Sequence, residues 1–532
     1  MPSARTPLFG ALRTTVRLAG AANSAGAPPP DELVEIAAAS RVSRRDFLRI
    51  AGVGAAGASI AACAPAAVST SGPRVVVVGA GLAGLSTAYH LRRAGVIADV
   101  YEASNRTGGR TYTAQDLVGP GTTTELGAEF VDSTHTDILD LMEAFGIEAV
   151  DRRETVVGHE TYFFDGRHRT IAEIVEAFRP LADRIRADYD STEDVVDFEH
   201  EGNGGALDQM SIAEYLDRIG ASGFIRSLLE VAYVTEYGLD VGDQSALNLI
   251  FLVGTDLDEG FRIFGDSDER WRVAGGSDVV ARRLTDHLEP QIRTGRALEA
   301  IRPRGAGYRL TFSGARDVDA DAVVLTLPFT MLRRVDVGLP LPDWKRRAID
   351  ELGYGMNAKV FAGMRARPWR DAGYSAEAFL DGDVQLCWDP TESQGTNAAG
   401  LTIYSGGAAG LASGAGTPEE QVARALPALD AAFPGTTAAY TGTAARFHWP
   451  THPWTLCSYA CYRPGQWTTI AGAEIKPVGR LFFAGEHASY DFQGFMNGAA
   501  ETGRRAASSV LEAVGRPALG SLLRRMERLR AA

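Results

Sequence analysis

The stretch that most constrains the fold is VVVVGAGLAG, from Val75 to Gly84, because it joins a β-branched run to three closely spaced glycines. Four valines favour a buried strand, and Gly79, Gly81 and Gly84 form a turn in which bare backbone can approach a ligand. The next residues, LSTAYHLRRAG, carry apolar side chains at helical spacing, and VIADVYEA has the pattern of a second strand. This order predicts a β-α-β unit.

The second strand ends at Glu102, about eighteen residues after Gly84, where a carboxylate can accept hydrogen bonds from ribose hydroxyls. In such a unit the glycines let the backbone approach a pyrophosphate, and the positive end of the helix faces its charge. Strand, glycines, helix and distal acid together predict a dinucleotide site in an α/β fold of the Rossmann type.

The phrase ASNRTGGRTYT comes directly after Glu102 and favours FAD over NAD. It places two guanidinium groups, Arg106 and Arg110, beside the doublet Gly108 and Gly109, where a pyrophosphate and a flavin ring can be held. The phrase resembles the second FAD motif of the flavin amine oxidases, a family that includes monoamine, polyamine and L-amino-acid oxidases. The resemblance implies an enzyme that oxidises amines to imines and passes the electrons to O2, forming H2O2.

The C-terminal part of the chain extends this resemblance, since the family returns there to complete its FAD domain. GRLFFAGEHAS ends an apolar strand in Gly485 and Glu486, and a small-residue helix opens at about Met496. In the family the matching acid binds the ribityl chain, and the helix start faces the flavin, where its partial positive charge stabilises the reduced ring. We therefore expect FAD contacts at all three residues.

The family layout implies an FAD domain assembled from three segments, with an inserted substrate domain of mixed sheet and helices. Apolar residues at helical spacing between about 150 and 260 predict a helical cover. The predicted division is an export signal and preamble (1–72), an FAD-binding domain (73–134, 265–335 and 470–515), a substrate-binding domain (135–264 and 336–469) and a C-terminal helix (516–532).

Lys359 is the first candidate for the chemistry, since it lies inside the apolar, strand-like run YGMNAKVFAGM. From periodicity alone, an exposed lysine on an alternating edge strand is an equal alternative. The resemblance gives the matching lysine a role, which is to hold a water near the flavin N5 atom. The RPW phrase that follows the lysine in many relatives favours this role.

Amine oxidation requires the amine to lie over the flavin face with bulk water excluded, and aromatic walls can do both. In the family two such walls flank the substrate, and they match Tyr459 and Phe495 in this chain. Trp467 is a further candidate, for which a place in the core is the alternative. The cysteine that links FAD in monoamine oxidases matches Ser458, or in another register Cys457, and we predict non-covalent FAD.

The substrate class is suggested by ELGAEFVDSTH, which lacks the arginine that L-amino-acid oxidases use for the substrate carboxylate. Glu129, Asp132 and His135 stand there instead. They suit a second cationic group, as in a diamine or a basic amino acid. Alternatively, they are strand-end and capping residues of a helix that begins near Asp132 or Ser133. The candidates are therefore primary amines, polyamines and basic L-amino acids.

The N-terminal residues carry a different kind of information. SRRDFLR, from Ser43 to Arg49, resembles a twin-arginine export signal, and the apolar run after it is too short and weakly hydrophobic for a secure membrane span. IAAC resembles a lipobox ending at Cys63, and APA resembles a cleavage site. A lipid anchor and plain secretion both stay open. We expect the twin-arginine machinery as a partner and a periplasmic or extracellular location, and, if Cys63 is lipidated, a membrane quinone is a rival acceptor to O2.

Composition excludes some other classes. A formal charge of −14 and a pI near 5.2 argue against nucleic-acid binding, which needs clustered Lys and Arg. Four cysteines make no disulfide framework, and Cys457 and Cys461 lack the neighbours that zinc requires, so no metal site is expected. Two alternatives to an amine oxidase remain: a flavin desaturase of the carotenoid or protoporphyrinogen type, and a flavin-binding protein without turnover.

Overall fold

The computed structural model describes residues 72–517 except 194, 258–260, 383 and 393. The twin-arginine phrase and Cys63 lie outside the described residues, as does most of the predicted C-terminal helix. The described residues from Pro73 onward belong to one compact unit, and the predicted domain boundaries within it stay a prediction.

The strands are numbered in chain order. They are β1 (Val75–Val78), β2 (Ala98–Tyr101), β3 (Thr113–Gln115), β4 (Thr123–Glu125), β5 (Phe130–Val131), β6 (Ala149–Asp151), β7 (His159–Phe164), β8 (Arg167–His168), β9 (Trp271–Val273), β10 (Ile292–Arg293), β11 (Leu298–Arg304), β12 (Gly307–Phe312), β13 (Val318–Ala320), β14 (Ala322–Leu325), β15 (Asp336–Val337), β16 (Ala358–Met364), β17 (Tyr374–Leu380), β18 (Leu386–Trp388), β19 (Ala399–Ser405), β20 (Tyr440–His448) and β21 (Leu481–Phe483).

The helices are numbered in the same way. They are α1 (Leu82–Arg93), α2 (Thr136–Ala144), α3 (Arg152–Thr155), α4 (Ile171–Ser191), α5 (Gly205–Asp208), α6 (Ile212–Ile219), α7 (Gly223–Tyr237), α8 (Ala246–Ile250), α9 (Asp278–Leu288), α10 (Phe329–Leu332), α11 (Asp343–Glu351), α12 (Pro368–Asp371), α13 (Gly407–Ala412), α14 (Pro418–Ala432), α15 (Thr436–Ala439) and α16 (Met496–Ala513).

A five-stranded parallel sheet of order β10-β2-β1-β14-β21 forms the nucleotide-binding part of the fold. Its strands come from three separated stretches of chain, which confirms the predicted Rossmann-type domain assembled from three segments. The four valines of β1 are at most 2% exposed. A parallel sheet is covered by helices on both faces, so its central strands are apolar throughout rather than alternating.

Helices α1 and α16 lie against each other on this sheet because small residues allow a close approach. A Cβ added at Gly503 would lie 2.4 Å from the Ala83 carbonyl oxygen. The Ser86 hydroxyl donates to the Ala500 carbonyl across the same contact, at 2.8 Å. The first and third segments of the domain are therefore joined by close packing of two helix backbones.

A seven-stranded mixed sheet, β20-β16-β19-β18-β17-β7-β8, forms the second layer. Strand β16 is hydrogen-bonded on one side to β19 and on the other to β20, and all seven of its residues are buried. Lys359 therefore lies in an interior strand, which rules out the edge-strand alternative. The smaller sheets are β13-β12-β11-β15, β5-β9-β6 and β3-β4.

Helices α4, α6 and α7 form the predicted helical cover. Capping boxes begin two of them, with Thr170 and Glu173 at α4 and Ser211 and Glu214 at α6. Helix α7 ends at Gly238, whose φ of 76° is the left-handed conformation that glycine adopts without strain. Within the described residues, every helix is too short or too polar to cross a bilayer.

Candidate active site

The first glycine turn leaves no room for side chains at two of its three glycines. Gly79 has φ of 104°, and a Cβ there would lie 2.5 Å from the Thr326 hydroxyl oxygen. A Cβ at Gly84 would lie 1.9 Å from the Gly79 carbonyl oxygen, which is far inside van der Waals contact. These glycines hold the start of α1 against the end of β1.

Gly81 differs, because a Cβ there would have Gly109 Cα, at 3.8 Å, as its nearest neighbour. Gly81 is the N-cap of α1 and makes no side-chain cap hydrogen bond, so the helix start presents backbone N–H groups. The second glycine motif lies opposite, since the Gly108 N–H donates to the Ala80 carbonyl at 2.8 Å. Two stretches of bare backbone thus meet at a helix N-terminus, an arrangement suited to a pyrophosphate.

The Glu102 carboxylate is buried and ties these turns together. One oxygen accepts from the Ala80 N–H and the other from the Ser104 N–H, both at 2.8 Å. An ionised carboxylate offers about four acceptor positions, so each oxygen keeps capacity for a ribose hydroxyl. The position predicted from the sequence is therefore chemically suited to the role.

The two arginines of the second motif have different tasks. Arg106 donates to the Gly109 carbonyl and lies 3.8 Å from the centre of the Tyr112 ring, so it shapes the turn itself. Arg110 donates to the Glu486 carboxylate at 2.6 Å and to the Ser458 carbonyl at 2.7 Å. Arg110 thus joins the first segment of the domain to the third.

The third segment brings a second helix start to the same region. Met496 opens α16, and its N-cap, Phe495, makes no side-chain cap hydrogen bond. The Glu486 carboxylate accepts from the Gly494 N–H at 2.9 Å, which fixes the turn before this helix. Gly485 has φ of 145°, and a Cβ there would overlap the His487 ring.

These residues fit FAD. The α1 start, with Gly81 and Gly109, suits the pyrophosphate, and Glu102 suits the adenosine ribose. The α16 start at Met496 offers partial positive charge of the kind that stabilises a reduced flavin ring. Arg106, Arg110, Gly485 and Glu486 shape and join the turns that carry these groups, and their direct contacts with FAD stay predictions.

Lys359 is 5% exposed, and protein groups surround its ammonium. It donates to the Glu125 carbonyl at 3.1 Å, to the Gly127 carbonyl at 2.9 Å and to the Glu129 carboxylate at 2.9 Å. Each of the three ammonium hydrogens therefore has a protein acceptor. A water held by this lysine, the role implied by the family resemblance, would have to share one of them.

Glu129 is the centre of a buried ion cluster. Its second oxygen accepts from Arg272 at 2.9 Å and from the Trp388 indole at 3.0 Å. Burial by itself raises the pKa of this carboxyl, but Lys359 and Arg272 outweigh burial, so the pKa of Glu129 lies below its ordinary value. Its charge is thus already matched by two cations of this chain.

Asp132 and His135 lie in the turn before α2. The helix begins at Thr136, later than the predicted Asp132 or Ser133, and its N-cap His135 makes no side-chain cap hydrogen bond. Burial lowers the pKa of His135 to about 3 and raises that of Asp132 to about 6. Both side chains bond within the local fold. The Asp132 carboxylate accepts from the Glu269 backbone N–H, and the His135 ring accepts from the Asp132 backbone N–H.

The aromatic candidate Tyr459 lies near the turn that carries Phe495 and contacts a third aromatic residue, Tyr404. The Tyr459 ring lies 3.6 Å from where a Gly494 Cβ would be, and Gly494 directly precedes Phe495 in the sequence. The Tyr459 hydroxyl donates to the Thr235 carbonyl at 2.9 Å and lies 2.8 Å from the Tyr404 hydroxyl. Since Tyr459 already donates once, Tyr404 is the donor of that bond.

Tyr404 and Trp388 are functional candidates that sequence reasoning missed. Tyr404 on β19 is the direct cross-strand partner of Lys359 on β16, and Trp388 lies on the neighbouring β18. The lysine nitrogen is 5.1 Å from the Trp388 ring centre and 6.0 Å from that of Tyr404. Their signal in the sequence is only an aromatic residue in an apolar strand, which becomes informative once strand pairing is known.

Contacts also bear on the two positions that match the FAD-linking cysteine and on the choice between pocket and core for Trp467. Cys457 is buried, and burial raises the pKa of its thiol to about 11, although Arg110 opposes this. A protonated thiol is a poor nucleophile. The Ser458 hydroxyl donates to the Asn357 side-chain carbonyl at 2.6 Å. Trp467 is a core residue: its indole donates to Asn248 at 2.8 Å.

Similarity to known proteins covers most of this site and fold. Residues 82–511 match the family described as flavin containing amine oxidoreductase. The chain is 26% identical over 477 residues to flavin-containing amine oxidase B of Bos taurus, covering 83% of this chain and 86% of that protein.

Solved structures give the same result for the fold. Cyclohexylamine oxidase from Brevibacterium oxydans matches with a TM-score of 0.74 and 25% identity over 84% of this chain and 100% of that one. Putrescine oxidase bound to putrescine matches with a TM-score of 0.71 and 22% identity over 83% and 99%. The chain therefore belongs to the flavin-containing amine oxidoreductase family and is an FAD-dependent amine oxidoreductase.

Proposed function

We propose that this enzyme oxidises an amine carrying a second cationic group, and that the electrons pass to O2 with formation of H2O2. A diamine or polyamine is the favoured substrate, and a basic L-amino acid is the alternative. The observation that carries the proposal is a group of three carboxyl side chains, Glu236, Glu269 and Glu377, whose charges act on one another and on the aromatic candidates. We infer that they line a recess, which we call the acidic recess.

Glu269 is the most informative member of the acidic recess. Its side chain keeps 37% of its surface accessible. Burial and the charge of Glu377 nevertheless raise the pKa of its carboxyl well above the ordinary value. From accessible surface combined with desolvation we infer that Glu269 lines an internal recess, since burial disfavours the charged form of a carboxyl group. A bound cation would relieve the desolvated carboxyl.

Several glutamate side chains near the acidic recess share one arginine, Arg152. The Arg152 guanidinium lies 2.7 Å from Glu377, 3.3 Å from Glu392 and 3.8 Å from Glu269. Arg272 also lies 3.7 Å from Glu392, but the sharing of Arg152 among three carboxyl groups still supports recruitment of a further cation. Since Arg152 and Arg272 both face carboxylates, they are poorly suited to hold a substrate carboxylate, which favours diamines over amino acids.

The acidic recess is electrostatically close to the aromatic pair. Burial raises the pKa of Tyr404, and the charges of Glu236 and Glu269 raise it further. Burial also raises the pKa of Tyr459, and Glu236 adds to that shift. A substrate lying against these rings would have the acidic recess within reach of a second ammonium group.

Bound FAD supplies the two-electron acceptor for the amine C–H bond. The chain's own residues would orient the amine and exclude water, with Tyr404 and Tyr459 held in place by their hydroxyl bond. We propose that FAD is bound without a covalent link, because the buried Cys457 thiol is protonated and poorly nucleophilic at neutral pH.

The test compares a diaminoalkane with the monoaminoalkane of the same chain length, using anaerobic bleaching of the flavin and steady-state rates. We expect the diamine to have the higher kcat/KM, and Glu269→Gln to raise the KM of the diamine about tenfold, or about 1.4 kcal/mol. The monoamine KM serves as the internal control. Equal kcat/KM values for both amines, or preference for an L-amino acid, would overturn the diamine proposal.

We further propose export by the twin-arginine route, which rests on the sequence from Ser43 to Arg49 and on the Cys63 lipobox phrase. Fractionation of cells that express the chain with and without an Arg44→Lys/Arg45→Lys pair tests the route. Stoichiometric H2O2 during turnover supports O2 as the acceptor, whereas reduction of an added quinone without H2O2 would replace it.

A further inference from the structure

We propose that Glu129 is a positioning residue for Lys359, and that it keeps the lysine a fixed cation that exchanges no proton during turnover. The inference concerns the amine oxidation common to the family and holds for whichever amine is the substrate. It therefore stands or falls separately from the diamine proposal.

The geometry leaves the lysine little freedom. Two carbonyl oxygens, from Glu125 and Gly127, and one carboxylate oxygen, from Glu129, accept its three hydrogens within 3.1 Å. The two carbonyls belong to the last residue of β4 and to the loop that follows it, so Lys359 on β16 is bound to the first segment of the FAD domain. Any rotation of the side chain would break charge-assisted bonds in a buried place.

The charges that face the lysine come from several elements. Glu129 precedes β5, and Arg272 on β9 binds its other oxygen at 2.9 Å. Burial, reinforced by Glu129, raises the pKa of the Glu125 carboxyl on β4 to about 8, which leaves this group mainly neutral at pH 7. Tyr404 on β19 is also a neutral phenol, so Glu129 is the counter-charge of the ammonium.

Arg272 continues the cluster away from the lysine. It lies 3.7 Å from Glu392, whose carboxylate is in turn 3.3 Å from Arg152. The Trp388 indole N–H adds a third donor to Glu129. A carboxylate held by three donors from different strands cannot move away from the lysine without leaving buried partners unsatisfied.

Loss of the Glu129 charge should therefore make the lysine titratable. A buried ammonium with two neutral acceptors and no counter-charge has a lowered pKa. Glutamine at position 129 keeps the shape and one acceptor but removes the charge. In this variant Lys359 would lose its proton within the pH range in which the enzyme works.

The experiment measures kcat/KM against pH from 6 to 10 for the FAD-loaded wild type, Glu129→Gln and Glu129→Gln/Lys359→Met, with whichever amine bleaches the flavin. We expect Glu129→Gln to lose at least tenfold in kcat and to gain an ionisation below pH 9 that the double variant lacks. Asp389→Asn is the matched control, since it removes a buried ion pair with Arg367. We expect this control to keep the wild-type pH profile.

A second readout needs no turnover. In FAD-free Glu129→Gln, a lysine with a lowered folded-state pKa makes stability rise with pH, from that pKa up to the unfolded value near 10.4. We expect the unfolding temperature of this variant, relative to wild type, to rise over the same interval. Asp389→Asn should run parallel to wild type.

Lys359→Arg covers the case in which Glu129→Gln fails to fold. Because arginine is always charged, a lysine that acts as a fixed cation predicts the same ionisations in Lys359→Arg and wild type. A wild-type ionisation that Lys359→Arg lacks would overturn the proposal. So would a Glu129→Gln enzyme with unchanged kcat and pH profile, or an Asp389→Asn enzyme that shows the same new ionisation.

Discussion

Alanine substitutions at Gly81 and Gly84 distinguish a glycine that the fold requires from one that the cofactor requires. At Gly84 the added methyl would lie 1.9 Å from the Gly79 carbonyl oxygen and 3.0 Å from the Thr326 hydroxyl oxygen. Helix α1 would have to shift by about an ångström or more, and overpacking of this kind costs about 3 kcal/mol at its upper range. We expect Gly84→Ala to be strongly destabilised even without FAD.

At Gly81 the same methyl meets nothing closer than 3.8 Å, and its φ of −71° suits alanine. The FAD-free Gly81→Ala protein should therefore stay within about 1 kcal/mol of wild type. Its methyl would instead occupy the space in which bare backbone faces the pyrophosphate. We expect the FAD dissociation constant to rise at least about tenfold, which corresponds to about 1.4 kcal/mol.

The assay combines thermal unfolding of the FAD-free proteins with titration of FAD, followed by quenching of flavin fluorescence. Wild-type FAD affinity in Gly81→Ala would refute the placement of the pyrophosphate at the start of α1. An FAD-free Gly84→Ala protein as stable as wild type would refute the close packing of α1 on β1. Each variant adds one methyl to wild type, at positions only three residues apart, so each is the control for the other.

Further changes test the rest of the site. Arg110→Met leaves a buried carboxylate without its cation, and we expect about 3 kcal/mol of destabilisation in thermal unfolding, with partial recovery in Arg110→Lys. The pKa of Glu125 is about 8 in the folded protein, so this carboxyl group binds a proton more tightly when the protein is folded. The free energy of unfolding should therefore fall as pH rises from about 5 to 8, and Glu125→Gln should flatten this slope. Acid precipitation should release all of the flavin into the supernatant from wild type and Cys457→Ala alike, whereas flavin retained only by wild type would indicate a covalent link. Tyr404→Phe removes the hydroxyl that bonds Tyr459, and a loss of about 1 kcal/mol in transition-state stabilisation, or about fivefold in kcat/KM, is expected from steady-state rates.

Local patterns allowed much of the fold and cofactor site to be predicted. Buried parallel strands have runs of β-branched residues in the sequence. The turn after β1 needs glycine at position 79 because φ is positive there, and at position 84 because the Gly79 carbonyl leaves no room for a Cβ. These requirements act within a few residues. The family, the three-segment FAD domain and FAD itself are accordingly confirmed, and the relatives named above are amine oxidases.

The sequence by itself determined the nucleotide-binding turn and the acid at Glu102, because each depends on the backbone within one β-α-β unit. Lys359 is a candidate through the family resemblance, since periodicity alone leaves an exposed lysine equally open. Only the tertiary structure decided that Lys359 is paired with Glu129, that Tyr404 is its cross-strand partner, and that Glu269 and Glu377 share Arg152. These side chains come from strands and loops far apart in the chain. Their charge state and partners are set by strand pairing and burial, which no short stretch of sequence specifies.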